Sequence, residues 1–402
     1  MKIVHVEDFI HPDAGYQVNM LGRLQSLQGH SVHIVAGELE KIPDFLKNFF
    51  GADNINLRDE IFHQETDAQI HRIPLHGFYS GRAFFHLKKL FEKISQLKPD
   101  VVFVHGEDTL TGIIFILLSR WLPYPIVLDC HMLEMASKNR FREVFRFFYR
   151  KIITPIILKR NIPLIRVVDS DFVQKCLGIP LNKTHYLSLG TDTDYFKPNI
   201  ENKESLRKEL GISEKAFLVI YAGKLDEHKG GIFFSEALID NISNSNGEDI
   251  EFLVIGSAVG NYGQVVEANF LKSRNKIIRL NTQRYFDLAK FFQIADLAIF
   301  PKQCSMSFFE AQSCGLPVLF EMNEINSIRI KDNNAFTFES GSIDSFRERI
   351  KELAATDSDI YHQYRVSARN FVLSNYNFVP ISVKYSDVLQ DEFLRWTALH
   401  KK

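Results

Sequence analysis

The chain has 402 residues, 45% hydrophobic and 24% charged, with 48 Lys+Arg against 49 Asp+Glu and a formal net charge of −1. That length exceeds one ordinary core and predicts two soluble domains, while the balanced charge gives no general attraction to nucleic acid and excludes polyanion wrapping. The four cysteines form no C-x-x-C pair, so reduced thiols are expected rather than a disulfide framework or a zinc site.

MKIVHVED at the N-terminus runs straight into a strand with two acids behind it, a poor secretory signal. The longest apolar runs, IIFILL (113–118) and IITPIIL (152–158), fall short of the roughly 18 residues of a membrane span. A cytoplasmic protein is expected, its membrane contact peripheral at most. Short β-branched runs then alternate with helical patterns. In the first half the strands are KIVHV, SVHIVA (31–36), DVVFVH (100–105), PIVLDC (125–130) and LIRVVD (164–169), with helices near 17–28, 84–97, 109–121 and 138–160. In the second half they are FLVIYAG (217–223), EFLVIG (251–256), KIIRLN (276–281), LAIFPK (297–302) and PVLFE (317–321). This alternation predicts an α/β protein with parallel sheets and crossover helices. The break falls near 190–200, where LSLGTDTDYFKPN combines Gly190 and Pro198 with small polar residues. The expected domains are 1–195 and 196–378, with a terminal segment at 379–402. Such sheets bind ligands outside the carboxyl ends of their strands, so function is expected in a cleft between the two domains.

Three stretches could carry chemistry. YAGKLDEHKG (221–230) puts Lys224 and Lys229 between a strand and a helix start, where two ammonium groups could hold a diphosphate; they could also be surface lysines neutralising Asp226 and Glu227. In PKQCSMSFFEAQSCGLPV (301–318), Ser307 and Glu310 fit a capping box; alternatively Glu310 accepts from paired sugar hydroxyls while N–H groups near Ser305, Met306 and Ser307 meet phosphate. FIHPDAGYQVNML (9–21) places Gly15 where backbone could approach a phosphate closely.

Together these stretches resemble the family-4 retaining glycosyltransferases of the GT-B fold, with HPDAGYQ similar to the loop of a bacterial GYQ-type subset. DVVFVHGED, PIVLDCHM, LGTDTDYFKP, YAGKLDEHKG and ADLAIFP…FFEAQSCGLPV resemble further family motifs in the family's order. The resemblance implies two Rossmann-like doubly wound domains, an N-terminal acceptor domain, a C-terminal nucleotide-sugar donor domain and a final helix returning to the first. It places Lys224 and Lys229 at the phosphate clamp, Glu310 at the glutamate holding the ribose, and His131 near the reacting sugar. Arg284 and Tyr285 fall in the base-contact region. His105 and Tyr16 are weaker acceptor-side candidates, and Asp8, Asp13 and Glu134 lie near the same loops. The implied substrates are a nucleotide-sugar, UDP or GDP based, and a glycan or polyprenyl-linked acceptor in bacterial cell-surface polysaccharide assembly. No cofactor is implied. The departures are Lys302 at the family's first glutamate, Gln303 at the glycine after it, Ala14 for the first loop glycine, Ile328 where an acid is common, and DNNA (332–335) for a D-G-x-N-G turn. Lys302 leaves open a catalytically silent, nucleotide-sugar-binding partner protein.

DSD (169–171) and DTD (192–194) match a metal-binding triplet. Asp169 or Ser170 reads better as a helix cap and DTD lies within a family motif, so no metal is expected. VIGSAVGNYG (254–263) spaces its glycines wrongly for a dinucleotide fingerprint. Residues 137–160 hold eight bases and one acid. Arg142, Arg146 and Arg150 stripe beside Phe141, Phe145, Phe148 and Ile152, which suits an anionic membrane surface or an ordinary helix packed on the sheet.

Overall fold

Strands apolar on both faces must lie inside a layered sheet, and the runs VVFV, IEFLVI and LAIF are buried throughout. The computed structural model describes residues 1–42, 50–51, 53–79, 82–131, 141–199, 201, 203–243, 249–302, 307–327 and 329–400. These form two compact units, unit 1 of Met1–Leu189 and Val379–Lys402, and unit 2 of Gly190–Phe378.

Unit 1 carries β1 (Lys2–Glu7), β2 (Ser31–Gly37), β3 (Gln69–Ile73), β4 (Leu75–Tyr79), β5 (Arg82–Phe85), β6 (Val101–Val104), β7 (Ile126–Cys130), β8 (Leu164–Arg166) and β9 (His185–Tyr186). Seven of them form a parallel sheet in the order β3-β2-β1-β6-β7-β8-β9, and β4 and β5 pair as an antiparallel hairpin. Its principal helices are α1 (Gln17–Leu27), α2 (Ile55–Thr66), α3 (Leu87–Leu97) and α4 (Leu110–Leu118). Thr109 caps α4 by accepting from the Gly112 N–H.

The expected helix near 138–160 runs unbroken over 142–160, as α5 (Arg142–Phe148), a π-helical turn over Tyr149–Ile153 and α6 (Thr154–Arg160). Residues 137–140 lie outside the described residues. Of the expected stripe, Arg142, Arg150, Phe141, Phe148 and Ile152 are exposed, while Arg146 and the half-buried Phe145 turn inward. Arg146 is buried against Glu143, and Arg150 donates to the carbonyls of Cys176 and Lys175. Asp169 and Ser170 do not cap the next helix, α7 (Phe172–Leu177); Asp171 holds that position without a side-chain bond, and Asp169 lies 3.7 Å from Arg166.

Unit 2 contains β10 (Phe217–Ala222), β11 (Ile250–Ile255), β12 (Lys276–Leu280), β13 (Leu297–Phe300), β14 (Val318–Glu321) and β15 (Ala335–Phe338), parallel in the order β12-β11-β10-β13-β14-β15. Around them run α8 (Lys203–Glu209), α9 (Gly231–Ala237), α10 (Gly260–Lys272), α11 (Leu288–Ile294), α12 (Ser307–Ser313), α13 (Glu324–Ser327), α14 (Ile343–Ala354) and α15 (Ser358–Asn375). A last helix, α16 (Phe378–His400), closes the chain. In each unit the chain steps outward one way, then returns to the first strand's other side. The crossovers diverge between β1 and β6 and between β10 and β13, opening a crevice beyond the strand ends.

One glycine shapes that crevice in unit 2. Gly256, just after β11, has φ +142°, and a Cβ there would lie 1.8 Å from the Gly223 carbonyl oxygen. Gly256→Ala should therefore push the loop after β10 outward and destabilise the fold by about 1–3 kcal/mol, read by chemical denaturation.

Candidate active site

Unit 2 places the segment Gly223–Gly230 between β10 and α9. Its backbone is held from inside. The Tyr221 hydroxyl donates to the Lys224 carbonyl, and Asp226 Oδ1 accepts from the Lys229 N–H at 3.0 Å. Asp226 thus shapes the turn through its backbone. Lys224 and Lys229 are half-buried, and Lys302 Nζ lies 3.5 Å from the Glu227 carbonyl on the same loop. Across the crevice Ser307 opens α12, its hydroxyl 3.4 Å from the Ala222 carbonyl. Ser305 and Met306, with Gln303 and Cys304, lie outside the described residues, as does Ile328.

Glu310 sits one turn into α12, buried, and accepts from the Tyr285 hydroxyl at 3.1 Å on Oε1. The capping-box expectation thus gives way to a side chain turned toward the segment after β12. Oε2 is buried with no hydrogen-bond partner among the described residues, as is the Thr191 hydroxyl. Burial pushes the Glu310 carboxyl up to about 8, against a smaller opposing pull from the Tyr285 hydroxyl. Arg284, half-buried, precedes Tyr285.

Unit 1 builds a second cluster around Asp129, on the fully buried β7. Asp129 accepts from His105 Nδ1 at 2.6 Å, the Gly106 N–H at 2.8 Å and His131 Nε2 at 3.2 Å. His105 Nε2 meets His5 Nδ1 at 3.0 Å, and His5 Nε2 meets Gln25 Oε1 at 2.8 Å. Burial alone would raise the Asp129 carboxyl, but His105 and His131 hold it well below the usual carboxylate range. For His131, burial is outweighed by Asp129, which raises the imidazole to about 9, so it is a cation at neutral pH. Burial also pushes Glu7 up to about 7 and Glu107, whose two carboxyl oxygens are buried and unpartnered among the described residues, well above its usual range. Asp8 accepts from the Ala83 N–H and the Thr111 hydroxyl.

His105, Asp129 and His131 offer donor atoms close enough to hold a metal ion. The 2.6 Å contact between His105 and Asp129 is a hydrogen-bond distance; donors sharing a tetrahedral ion at about 2.0–2.1 Å each would stand roughly 3.3 Å apart. A shared proton fits better. Of the two D-x-D triplets, Asp192 accepts from the N–H groups of Asp194 and Tyr195, a turn, and Asp171 pairs with Lys175 at 2.7 Å.

His131 and His105 are therefore brought together, with Asp129 between them. Gly15 and Tyr16 lie in the loop after β1, with Tyr16 exposed at the start of α1. Glu134 lies outside the described residues. The residues that motif reading missed are Asp129, Glu7, Glu107, His5 and Thr191. The available signal for Asp129 was one charge inside an otherwise apolar strand.

Residues 202–371, within unit 2, match the model of the family described as Glycosyl transferases group 1, and the two Rossmann-like halves have the GT-B fold. Among curated proteins, the UDP-Gal:alpha-D-GlcNAc-diphosphoundecaprenol alpha-1,3-galactosyltransferase of Escherichia coli is 23% identical over 318 residues, 76% of this chain and 79% of that protein. Solved structures that share the fold include a glycosyltransferase from Rickettsia africae (TM-score 0.71, 15% identity, 98% of each chain). Another is Anabaena Alr3699/HepE in complex with UDP (TM-score 0.69, 16% identity, 97% of this chain and 100% of that one).

The neutral Glu310 carboxyl makes a stability prediction. The unfolded chain releases this proton from 4.5 upward and the folded chain only from about 8. Wild type should therefore lose stability relative to Glu310→Gln as pH rises through that interval, and the gap should stop widening above it. Melting curves that run parallel across the interval would contradict the buried, neutral state.

Proposed function

We propose that this chain is a metal-independent, retaining hexosyltransferase, close to the GYQ-type subset of family 4. It moves a sugar from a UDP- or GDP-sugar to a glycan or polyprenyl-diphosphate-linked acceptor in bacterial cell-surface polysaccharide assembly. The observation that carries the reading is the unit 2 crevice, where two half-buried lysines flank a backbone-braced loop and one buried carboxyl oxygen of Glu310 has no hydrogen-bond partner among the described residues. A ribose hydroxyl donating to that oxygen would satisfy a group that is costly to leave bare. Gly15 in the loop after β1, Ser305, Met306 and Ser307 before and at α12, and Arg284 beside the base complete the proposed donor contacts.

Breaking a sugar–diphosphate bond leaves charge on the departing phosphate, and fixed cations bind that charge most tightly at the transition state. Lys224 and Lys229 take this role. In unit 1 the cationic His131, oriented by Asp129, would hold the reacting sugar's oxygen. Glu7, pushed up to about 7, can exchange a proton near neutral pH beside it. His105 orients Asp129, and Tyr16 is exposed to meet an acceptor. Lys302, a cation where a carboxylate orients the donor sugar in the resembled family, favours a second reading, a GT-B protein that binds nucleotide-sugar and transfers nothing.

A lipid-linked acceptor also suits the surface of unit 1, and the E. coli relative's name specifies a diphosphoundecaprenol acceptor. Phe141, Val144 and Phe147 are exposed, and so are Leu110, Leu117, Leu118 and Trp121 along and just past α4, with Arg142, Arg150 and Lys151 among them. No described helix is long and apolar enough to cross a membrane. Surface attachment at the cytoplasmic face of the plasma membrane is the proposed arrangement. The double substitution Phe141→Ser with Phe147→Ser should release the protein from anionic vesicles in a flotation assay.

The function is tested with UDP- and GDP-hexoses and a polyprenyl-diphosphate-linked acceptor. Lys229→Ala should lower transfer by about 10²–10³-fold, the loss of one preorganised donor of about 2.7–4 kcal/mol, and EDTA should leave transfer intact. Parental turnover by Lys229→Ala would refute the clamp; donor binding without transfer by wild type would establish the silent reading.

A further inference from the structure

A cavity of about 630 Å³ opens in unit 2 at the amino ends of its strands, bordered by Phe217, the first residue of β10, and Asp296, just before β13. That is the end of the sheet opposite Lys224 and Glu310. Its size falls in the usual range for small-ligand pockets, about 300–1,000 Å³.

Its charges do not balance. Asp296 is the one acid among the described residues lining it. Buried Arg207 already meets that carboxylate at 2.6 Å, and the Leu218 N–H donates to it at 2.9 Å. Lys203 reaches Asp296 from the cavity side at 3.3 Å and Arg365 at 3.6 Å. Arg369 also lines the cavity, and its N–H groups go to the carbonyls of Ser313, Phe196 and Thr193, which are uncharged partners. Asp296 thus meets three cations, Arg207, Lys203 and Arg365, and Arg369 adds a further charge at the cavity wall, where it, Lys203 and Arg365 are half-buried. Burial and the nearby guanidinium groups of Arg207 and Arg365 lower the Lys203 ammonium from its usual range. Partly desolvated cations that repel one another are relieved by an anion, and two arginines can grip it with paired donors. Phe217 and Tyr361 supply an apolar wall, their ring centroids 5.5 Å apart and edge to face.

We propose that this cavity is a second anion site, taking a small phosphomonoester with a planar or sugar-like body between Lys203, Arg365 and the Tyr361–Phe217 wall. The site is connected to the Glu310 cluster. Arg369 holds the carbonyl of Ser313, the last residue of α12, and that of Thr193, two residues from Thr191. An anion drawing on Arg365 and Arg369 would therefore reach the helix that carries Glu310, which makes it a candidate effector of donor binding.

Phenyl phosphate is a suitable probe, titrated calorimetrically into the full chain and into three variants. Wild type should bind it; Lys203→Met and Arg365→Gln should each weaken binding by about tenfold or more, and Lys229→Ala, which removes a proposed phosphate contact at the other end of the sheet, should retain the binding that Lys203→Met weakens. Lys203→Met removes a half-exposed group and tests the site even if Arg365→Gln folds poorly. Absence of binding to wild type, or binding lost in Lys229→Ala and unaffected by Lys203→Met, would overturn the proposal.

Discussion

A parallel sheet can grow outward from its first strand in two directions only if its crossovers part at that strand. The rest of this molecule depends on that constraint. Between β1 and β6, and again between β10 and β13, the strand order reverses, and the loops that emerge at the carboxyl ends of these strands bring charged groups into partly dry surroundings. The loop after β10, braced by Tyr221, Asp226 and the close approach of Gly256, is one consequence. The Asp129 cluster, fed by β1, β6 and β7, is the other.

The two buried carboxyls show how partners decide charge. Asp129 is surrounded by two imidazoles and a backbone N–H and stays ionised despite burial, which fixes His131 as a cation. Glu310 has one hydroxyl on Oε1 and an unpartnered oxygen, and burial wins. The first arrangement is electrostatically complete without a ligand. The second is not, and the proposal that unit 2 recognises a nucleotide rests on that incompleteness.

Much of the fold was legible because its central strands are continuous apolar runs with glycine-rich ends, as in FLVIYAG and EFLVIG, a pattern a parallel sheet requires. The peripheral strands were not. β3 reads QIHRI, polar along an edge, and the hairpin strands LHGFY and RAFF are too short to show a period. β15 follows an Asn-rich turn that drew attention to the turn instead. The π turn at Tyr149–Ile153 shifts the helix face partway along 142–160, which regular helical spacing does not encode. Within the candidate sites, motif spacing could set Lys224 after a strand and Glu310 on a first turn. It could not reveal that Tyr285, 25 residues away, would claim Glu310 in place of Ser307, nor that Asp129 would join two histidines on separate loops, because both depend on strand neighbours far apart in sequence.

The central claim is that a nucleoside diphosphate is held in the unit 2 crevice by the loop after β10 and by Glu310. Amide hydrogen exchange, followed with and without saturating UDP or GDP, tests it most directly. The account predicts slower exchange over residues 223–231 and 307–313 with one of these nucleotides. Unchanged exchange there, with protection appearing only elsewhere in the chain, would contradict it.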